Sequence, residues 1–234
     1  MPGFLPSTNG FRFANRWPPG PTVKLGAFDT RWFFGVGDAA QGLCGGMALS
    51  VRDLFEAGLP VPPDTAPFLN GSSRFRQIVR RQVESLDWGL VPLRYWELAA
   101  FRPDPPTAVS LLLRREPPRV DAIRQQWPKI RAELDAGRLA VVGLIRRAGW
   151  NPLRLTQNHQ TLAYGYGETP DSVTVRIYDP NHPCDDTVEL RAAIAPDVDR
   201  PWRDRIRLEQ SSAEPLLGFF LHPYPRPGSL KAWR

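Results

Sequence analysis

One cysteine stands in a sequence context that suits a nucleophile. Cys44 lies in the glycine-rich segment 41–47 (Gln-Gly-Leu-Cys-Gly-Gly-Met), and the residues that follow have helical periodicity. This places Cys44 at or just before the first turn of a helix, where unpaired backbone N–H groups and the helix dipole favour the reactive thiolate. A small buried cysteine beside a glycine-rich turn fits the same residues. The apolar side chains on one face of this predicted helix are Met47, Val51, Leu54 and Phe55.

The cysteine count directs the search for a partner. Cys44 and Cys184 are the only cysteines, and no CxxC pair is present, which argues against a structural zinc site. A disulfide between them is not expected in a reducing cytosol. A lone cysteine with a distant histidine and an Asn or Asp is instead a pattern of nucleophilic catalysis.

A histidine and an aspartate are predicted to meet at one end of a β-hairpin. His159 stands at the start of a predicted strand over 160–166, and Asp179 stands at the end of the next predicted strand, 173–178. In an antiparallel pair, the start of one strand lies beside the end of the other. A carboxylate in that position can hold an imidazole in one tautomer and orientation. If the Cys44 helix packs against the same end, a nucleophile, a base and an orienting group are assembled.

The elements that must position these residues change in type along the chain. The first half has helical periodicity and the second half has strand periodicity, which predicts an α+β protein with a helical half and an antiparallel sheet half. We expect one domain over 1–234, with an extended arm over 1–25 and a tail over 223–234. Helices are predicted over 74–86, 92–101 and 120–136, with Pro128 kinking or splitting the last; 28–36 is predicted as a loop. Further strands are predicted over 139–145, 187–190, 206–209 and 216–221.

Composition excludes several classes of protein. The net charge of +6 is carried almost wholly by arginines that are scattered among acidic residues, so no basic stripe for nucleic acid is present. No apolar run approaches the roughly 18 residues of a membrane span. The first ten residues lack the charged start and apolar core of a signal peptide, so we expect a cytoplasmic protein without a membrane partner.

The order of these motifs resembles a known family. A helix that starts at Cys-Gly, a buried strand, a His-led strand ending in Gly-Tyr and a strand ending in Asp-Pro resemble the papain-like cysteine peptidase fold. They are most similar to the bacteriocin-processing (double-glycine leader) peptidase domains of ABC exporters and their free-standing relatives. The resemblance covers 35–57 and 139–183. It implies that the nucleophile helix packs on the C-terminal antiparallel sheet.

The resemblance also implies a role for each site residue. Cys44 is then the nucleophile, His159 the general base and Asp179 the orienting group, with Asn181 as a possible alternative because papain-like enzymes use either residue type. The glutamine that helps to form the oxyanion hole in such peptidases stands five or six residues before the cysteine. Here Gln41 is only three residues before Cys44, and position 38 is an aspartate. We expect Gln41 to reach the oxyanion hole through the glycine turn, together with the Cys44 backbone N–H.

An alternative alignment removes the nucleophile. If Gln41 is matched to the family's glutamine, the nucleophile position becomes Met47, and the protein is a catalytically inactive papain-like binding module.

The expected activity is thiol-dependent hydrolysis of a peptide or isopeptide bond through Cys44, His159 and Asp179, with a peptide or protein as substrate. Acyl transfer of the transglutaminase type is the enzymatic alternative, since such enzymes share the order Cys, His, Asp. We expect no cofactor. The segment 182–186 (His-Pro-Cys-Asp-Asp) contains side chains that can bind metal, but its prolines and close spacing favour a turn, so no metal is expected.

Overall fold

The fold of this chain is built from short helices and one large antiparallel sheet. The structure is a computed structural model and describes residues 3–18, 24–25, 28–29, 42–86, 94–95, 97–98, 117–146, 159–196 and 204–234. The α-helices within these ranges are α1 (Pro6–Asn9), α2 (Cys44–Glu56), α3 (Ser73–Ser85), α4 (Pro118–Asp121) and α5 (Trp127–Asp135). A π-helical segment, Ala122–Gln126, joins α4 to α5, and a 3₁₀ turn covers Lys231–Trp233.

The strands form two sheets. The strands are β1 (Lys24–Leu25), β2 (Phe28–Asp29), β3 (Ala140–Ile145), β4 (His159–Thr169), β5 (Ser172–Tyr178), β6 (Glu189–Pro196), β7 (Asp204–Gln210) and β8 (Gly218–Leu221). β1 and β2 form a two-stranded antiparallel pair. The other six strands form one sheet in the order β7-β6-β5-β4-β3-β8, in which every neighbouring pair is antiparallel. Helices and an antiparallel sheet together confirm the predicted α+β class.

Both faces of the sheet are covered by apolar side chains. Every residue of β3 is buried. Val141 packs in a cluster with α2 and α3, whereas its neighbours Ala140 and Val142 pack in a second cluster with α5. A strand that is buried on both faces has a continuous apolar sequence, which explains why the run over 139–145 predicted a central strand correctly.

The helix that begins at Cys44 is more deeply buried than its sequence predicts. A single apolar face was expected, but α2 is buried from Gly45 to Leu54, and only Phe55 of the predicted face is half-buried. The reason is that α2 contacts α3 on one side and β4 on another. A buried ion pair joins α2 to α3, since Arg81 Nε of α3 lies 2.9 Å from Asp53 Oδ2 of α2.

Several predicted elements are confirmed, and others differ for identifiable reasons. The helix over 74–86 is α3, and the predicted hairpin is β4 and β5. The strand predicted over 187–190 begins only at Glu189, because Asp185 accepts hydrogen bonds from the backbone and side chain of Thr187 and holds that residue in a turn. The arm contains α1 and β1, and the predicted loop 28–36 begins with β2.

Pro128 acts as predicted on the helix that contains it. The backbone N–H of Trp127 bonds to the carbonyl of Ala122 in the wider π pattern, and regular α-helix resumes with Pro128 in its first turn, where a proline N–H is not needed. Most of the helix predicted over 92–101 lies outside the described residues. No helix in the described ranges is both long and apolar enough to cross a membrane.

Candidate active site

The β4–β5 hairpin brings His159 and Asp179 together. The hairpin closes at the Thr169–Ser172 pair, and Leu162 pairs with Tyr178 near its other end. His159 is the first residue of β4, and Asp179 directly follows β5. His159 Nε2 lies 2.6 Å from Asp179 Oδ1, in a region where both side chains are buried.

The Asp179 carboxylate is surrounded by donors. Besides His159, it accepts the backbone N–H of Asn181 at 2.8 Å on Oδ1 and the amide of Gln210 at 2.8 Å on Oδ2. The Arg146 guanidinium lies 3.5 Å from Oδ2. Complete burial opposes ionisation, but the His159 charge and these hydrogen bonds hold the pKa of Asp179 well below its ordinary value. An ionised carboxylate can only accept, so Nε2 of His159 carries a proton.

This arrangement leaves the other ring nitrogen of His159 for Cys44. Cys44 is the first residue of α2, is partly exposed, and has its sulfur hydrogen-bonded to the His159 ring. Because Nε2 is committed to Asp179, the nitrogen that faces the sulfur is Nδ1. Cys44, His159 and Asp179, the three residues predicted from the sequence, therefore lie next to one another in one chain of contacts.

The electrostatics of this chain favour an ion pair. Burial raises the pKa of the Cys44 thiol, but the His159 charge, a hydrogen bond from its ring, and the backbone N–H groups of Gln160 and Gly45 together lower that pKa below its ordinary value. Burial likewise opposes protonation of His159, but Asp179 and Cys44 raise the pKa of His159 to about 9. Both shifts favour a thiolate–imidazolium pair over a neutral thiol beside a neutral imidazole.

The start of α2 is capped by a side chain from another helix. Leu43 precedes Cys44 and is apolar, so it cannot cap the helix with its own side chain. The Gly46 N–H donates to Gln82 Oε1 of α3 at 2.8 Å, and the Gly45 N–H lies where it lowers the pKa of the Cys44 thiol. One of the N–H groups that a helix start leaves without a partner is thus bound by α3, and another acts on the Cys44 thiol.

The two glycines after Cys44 allow this close packing. A Cβ on Gly45 would collide with Gln160 Oε1 of β4, and a Cβ on Gly46 would collide with the carbonyl oxygen of Ile78 in α3. Any side chain at either position would push α2 away from α3 or β4. The glycines of the sequence motif are therefore explained by contact between elements.

Gly46→Ala is expected to lower the free energy of unfolding by about 1–3 kcal/mol, the usual cost of overpacking. Helix propensity alone predicts the opposite sign, since alanine is favoured over glycine inside a helix. Urea denaturation of Gly46→Ala beside Gly167→Ala measures the effect; a Cβ added to Gly167 would have no atom within 4 Å, so this position serves as the matched control. Equal stability of both variants would contradict the packing explanation.

Three supporting residues could not be found from local sequence patterns. The Tyr95 hydroxyl donates to the His159 carbonyl at 3.0 Å and so fixes the backbone of His159. Gln210, at the end of β7, binds Asp179 and accepts from Arg146 at 3.1 Å. Tyr95 and Gln210 come from segments distant in sequence from His159, and no motif surrounds either of them or Arg146, so tertiary packing alone brings the three to this end of the sheet.

The remaining predicted residues have different positions. Gln41, the predicted oxyanion donor, lies outside the described residues. Asn181 supports Asp179 through its backbone N–H, and its side chain faces Asn15. Met47, the nucleophile position in the alternative alignment, is fully buried in the apolar cluster, and Cys44 is the residue that contacts His159.

One group within the described ranges combines side chains that can bind a metal ion. The ligand atoms of Asp179, His182 and Glu214 all lie within 4.8 Å of one another. Arg146 already supplies positive charge there, since its NH2 nitrogen lies 3.5 Å from Asp179 and 4.0 Å from Glu214. The donor set is also engaged, because His182 Nε2 is 2.7 Å from Glu214. This geometry suits an ion-pair network better than a metal centre.

No protein-family model, curated protein or solved structure matches this chain. The chemistry of the site is therefore derived from its own residues.

Proposed function

We propose that this protein is a thiol-dependent hydrolase that cleaves a peptide or isopeptide bond, with a papain-like arrangement of its site. The observation that carries the proposal is the chain of contacts from the partly exposed Cys44 sulfur through the His159 ring to the buried Asp179 carboxylate. A histidine bound only for packing does not require an ionised carboxylate on one side and a helix-terminal thiol on the other.

The proposed reaction follows from these positions. The Cys44 thiolate attacks the substrate carbonyl carbon, and the π electrons move to the oxygen. We expect the backbone N–H of Cys44, at the start of α2, to stabilise that oxyanion. As the tetrahedral intermediate collapses, the C–N bond breaks and the His159 imidazolium gives its proton to the leaving amine, which leaves a thioester on Cys44. Water then attacks the thioester, His159 removes a proton from that water, and release of the acid restores the ion pair.

The protonation state of His159 supports an amide bond as the target. An amine leaves only after it has been protonated, whereas an ester oxygen leaves more readily without a proton. Asp179 keeps His159 protonated at neutral pH, so a general acid is present when the amine departs. A peptide or isopeptide bond is therefore the substrate class that uses every member of the site.

The thiolate can be tested without knowing the substrate. If Cys44 and His159 form the proposed thiolate–imidazolium pair, iodoacetamide should alkylate Cys44 nearly as fast at pH 6 as at pH 8, because the His159 charge lowers the pKa of the thiol. An ordinary thiol with a pKa of about 8.5 is only roughly 0.3 % ionised at pH 6. Peptide mapping by mass spectrometry measures both cysteines in one sample, with the exposed Cys184 as the internal reference.

His159→Ala is the matched control for this experiment. Loss of the imidazolium raises the Cys44 pKa, so fast labelling at pH 6 should disappear while Cys184 labelling stays the same. Parallel pH profiles for Cys44 and Cys184 in the native protein would overturn the proposal.

Hydrolysis should additionally fall above about pH 9, where His159 loses the proton that the leaving amine needs.

Activity itself is measured with a pool of internally quenched peptides, followed by mass spectrometry of the products. Release of free acid supports hydrolysis. A new amide that forms when a primary amine is added would assign acyl transfer instead. If Cys44 labels fast but neither product forms on peptides or isopeptides, the amide-bond assignment is wrong.

A further inference from the structure

We propose that Asn15, in the N-terminal arm, is a positioning residue that sets the separation between the nucleophile and the orienting carboxylate. The inference rests on the proposed function of Cys44, His159 and Asp179. Asn15 reaches both the residue before Cys44 and the turn after Asp179, two places that are far apart in the sequence.

The side-chain oxygen of Asn15 holds the start of α2. Asn15 Oδ1 accepts the backbone N–H of Leu43 at 2.6 Å and the indole N–H of Trp17 at 3.0 Å. Because backbone and indole N–H groups can only donate, these two contacts fix which end of the amide is the oxygen. Leu43 is buried, so its N–H would otherwise have to find another partner.

Asn15 also binds the turn that follows Asp179, through its backbone N–H and its side-chain nitrogen. Its backbone N–H donates to the Pro180 carbonyl at 2.8 Å, and its Nδ2 lies 3.4 Å from Asn181 Oδ1. The backbone N–H of Asn181 in turn donates to Asp179 Oδ1, the same oxygen that binds His159. Asn15 therefore links the nucleophile helix to the support of the carboxylate, through its side chain to Leu43 and Asn181 and through its backbone to Pro180.

The Asn15 amide packs directly against Gly42. Gly42 has a φ of 96°, and a Cβ at this position would lie 2.7 Å from Asn15 Nδ2. Glycine adopts this left-handed conformation without strain and allows the amide to approach the backbone. The glycine two residues before Cys44 thus provides the space that Asn15 occupies.

A positioning role has a different expected result from simple stabilisation. Displacement of reacting groups by about 1 Å can cost on the order of 100-fold in rate. Asn15→Ala should therefore slow Cys44 alkylation at pH 6 by about 10- to 100-fold and move the midpoint of its pH profile upward, because α2 and the His159–Asp179 pair can separate.

The experiment compares Asn15→Ala with Ser7→Ala, using iodoacetamide labelling of Cys44 from pH 5 to 9 and thermal unfolding. Ser7 anchors the same arm elsewhere, since its hydroxyl donates to Asp186 Oδ2 at 2.6 Å. Ser7→Ala should lower the melting temperature without changing the labelling profile. Asn15→Ser, which also withdraws the carbonyl from Leu43, is measured in the same way if Asn15→Ala does not fold.

The outcomes separate this proposal from the one on which it rests. Slower Cys44 labelling in the folded Asn15 variant, with an unchanged profile for Ser7→Ala, supports the positioning role. Native labelling in a folded Asn15 variant overturns that role alone. If Cys44 and Cys184 label alike in the native protein, the proposed function is overturned, and the role of Asn15 with it.

Discussion

Replacing Cys44 with alanine is expected to reduce turnover of the best-cleaved peptide by on the order of 10⁵- to 10⁶-fold. The reason is that no covalent thioester can form, and water would have to attack the amide directly. The fold should persist, because Cys44 is partly exposed and its side chain is small. Initial rates on an internally quenched peptide, selected from the pool with the native protein, measure the effect.

Cys184→Ala is the control for this result. Cys184 is the other cysteine and is exposed, so its removal should leave turnover within about twofold of the native value. If Cys44→Ala keeps a tenth or more of the native rate, cleavage does not depend on the thiol, and the proposed mechanism is wrong.

Asp179→Asn is expected to lower turnover by on the order of 10⁴-fold, the size of effect seen when an orienting carboxylate is neutralised. The amide is nearly the same size as the carboxylate but carries an N–H₂ group. Four donors converge on Asp179, so this group must face either His159 Nε2 or the Gln210 and Arg146 side. Either orientation leaves buried donors facing one another.

The same substitution should change two further measurements. Because Asp179 raises the pKa of His159, its neutralisation should lower the alkaline limb of the pH–rate profile toward the ordinary histidine value of about 6.5. Removing one partner of a buried charge pair also lowers the free energy of unfolding, by about 3 kcal/mol. Titration of the His159 ring by NMR and urea denaturation report these effects.

Asp185→Asn is the matched control, since Asp185 lies on the same turn but binds only Thr187 among the contacts of the described residues. This variant should keep the native pH profile. An Asp179→Asn protein with native turnover and an unshifted profile would show that the carboxylate does not orient the base.

The hairpin could be predicted from sequence because its determinants are local. Alternating residues before and after the turn at 170–171 specify the pairing, and antiparallel pairing brings the start of β4, with His159, near the end of β5, with Asp179. The start of α2 was predictable for the same reason, since glycines and helical periodicity adjoin Cys44. These predictions needed no knowledge of how distant segments pack.

The supports of the site could not be predicted, because they depend on tertiary packing. Asn15 belongs to an arm without periodicity, and its partner Leu43 is an ordinary apolar residue. Gln210 reaches Asp179 although β7 lies at the sheet edge, three positions from β4. Burial of α2 on all sides could not be predicted either, because charged residues such as Arg52 and Asp53 ordinarily indicate an exposed face, whereas ion pairs allow both to be buried here.

The order of the site residues along the chain has a consequence for synthesis on the ribosome. Cys44 emerges well before His159 and Asp179, and at about 5–20 residues per second the delay is on the order of ten seconds. During that interval the nascent chain carries an unactivated thiol, since its base has not yet been translated. β3 also waits for β8, its second neighbour, which is the last strand to appear. Under the proposed mechanism, the sulfur is therefore activated only when translation of the sheet is near completion.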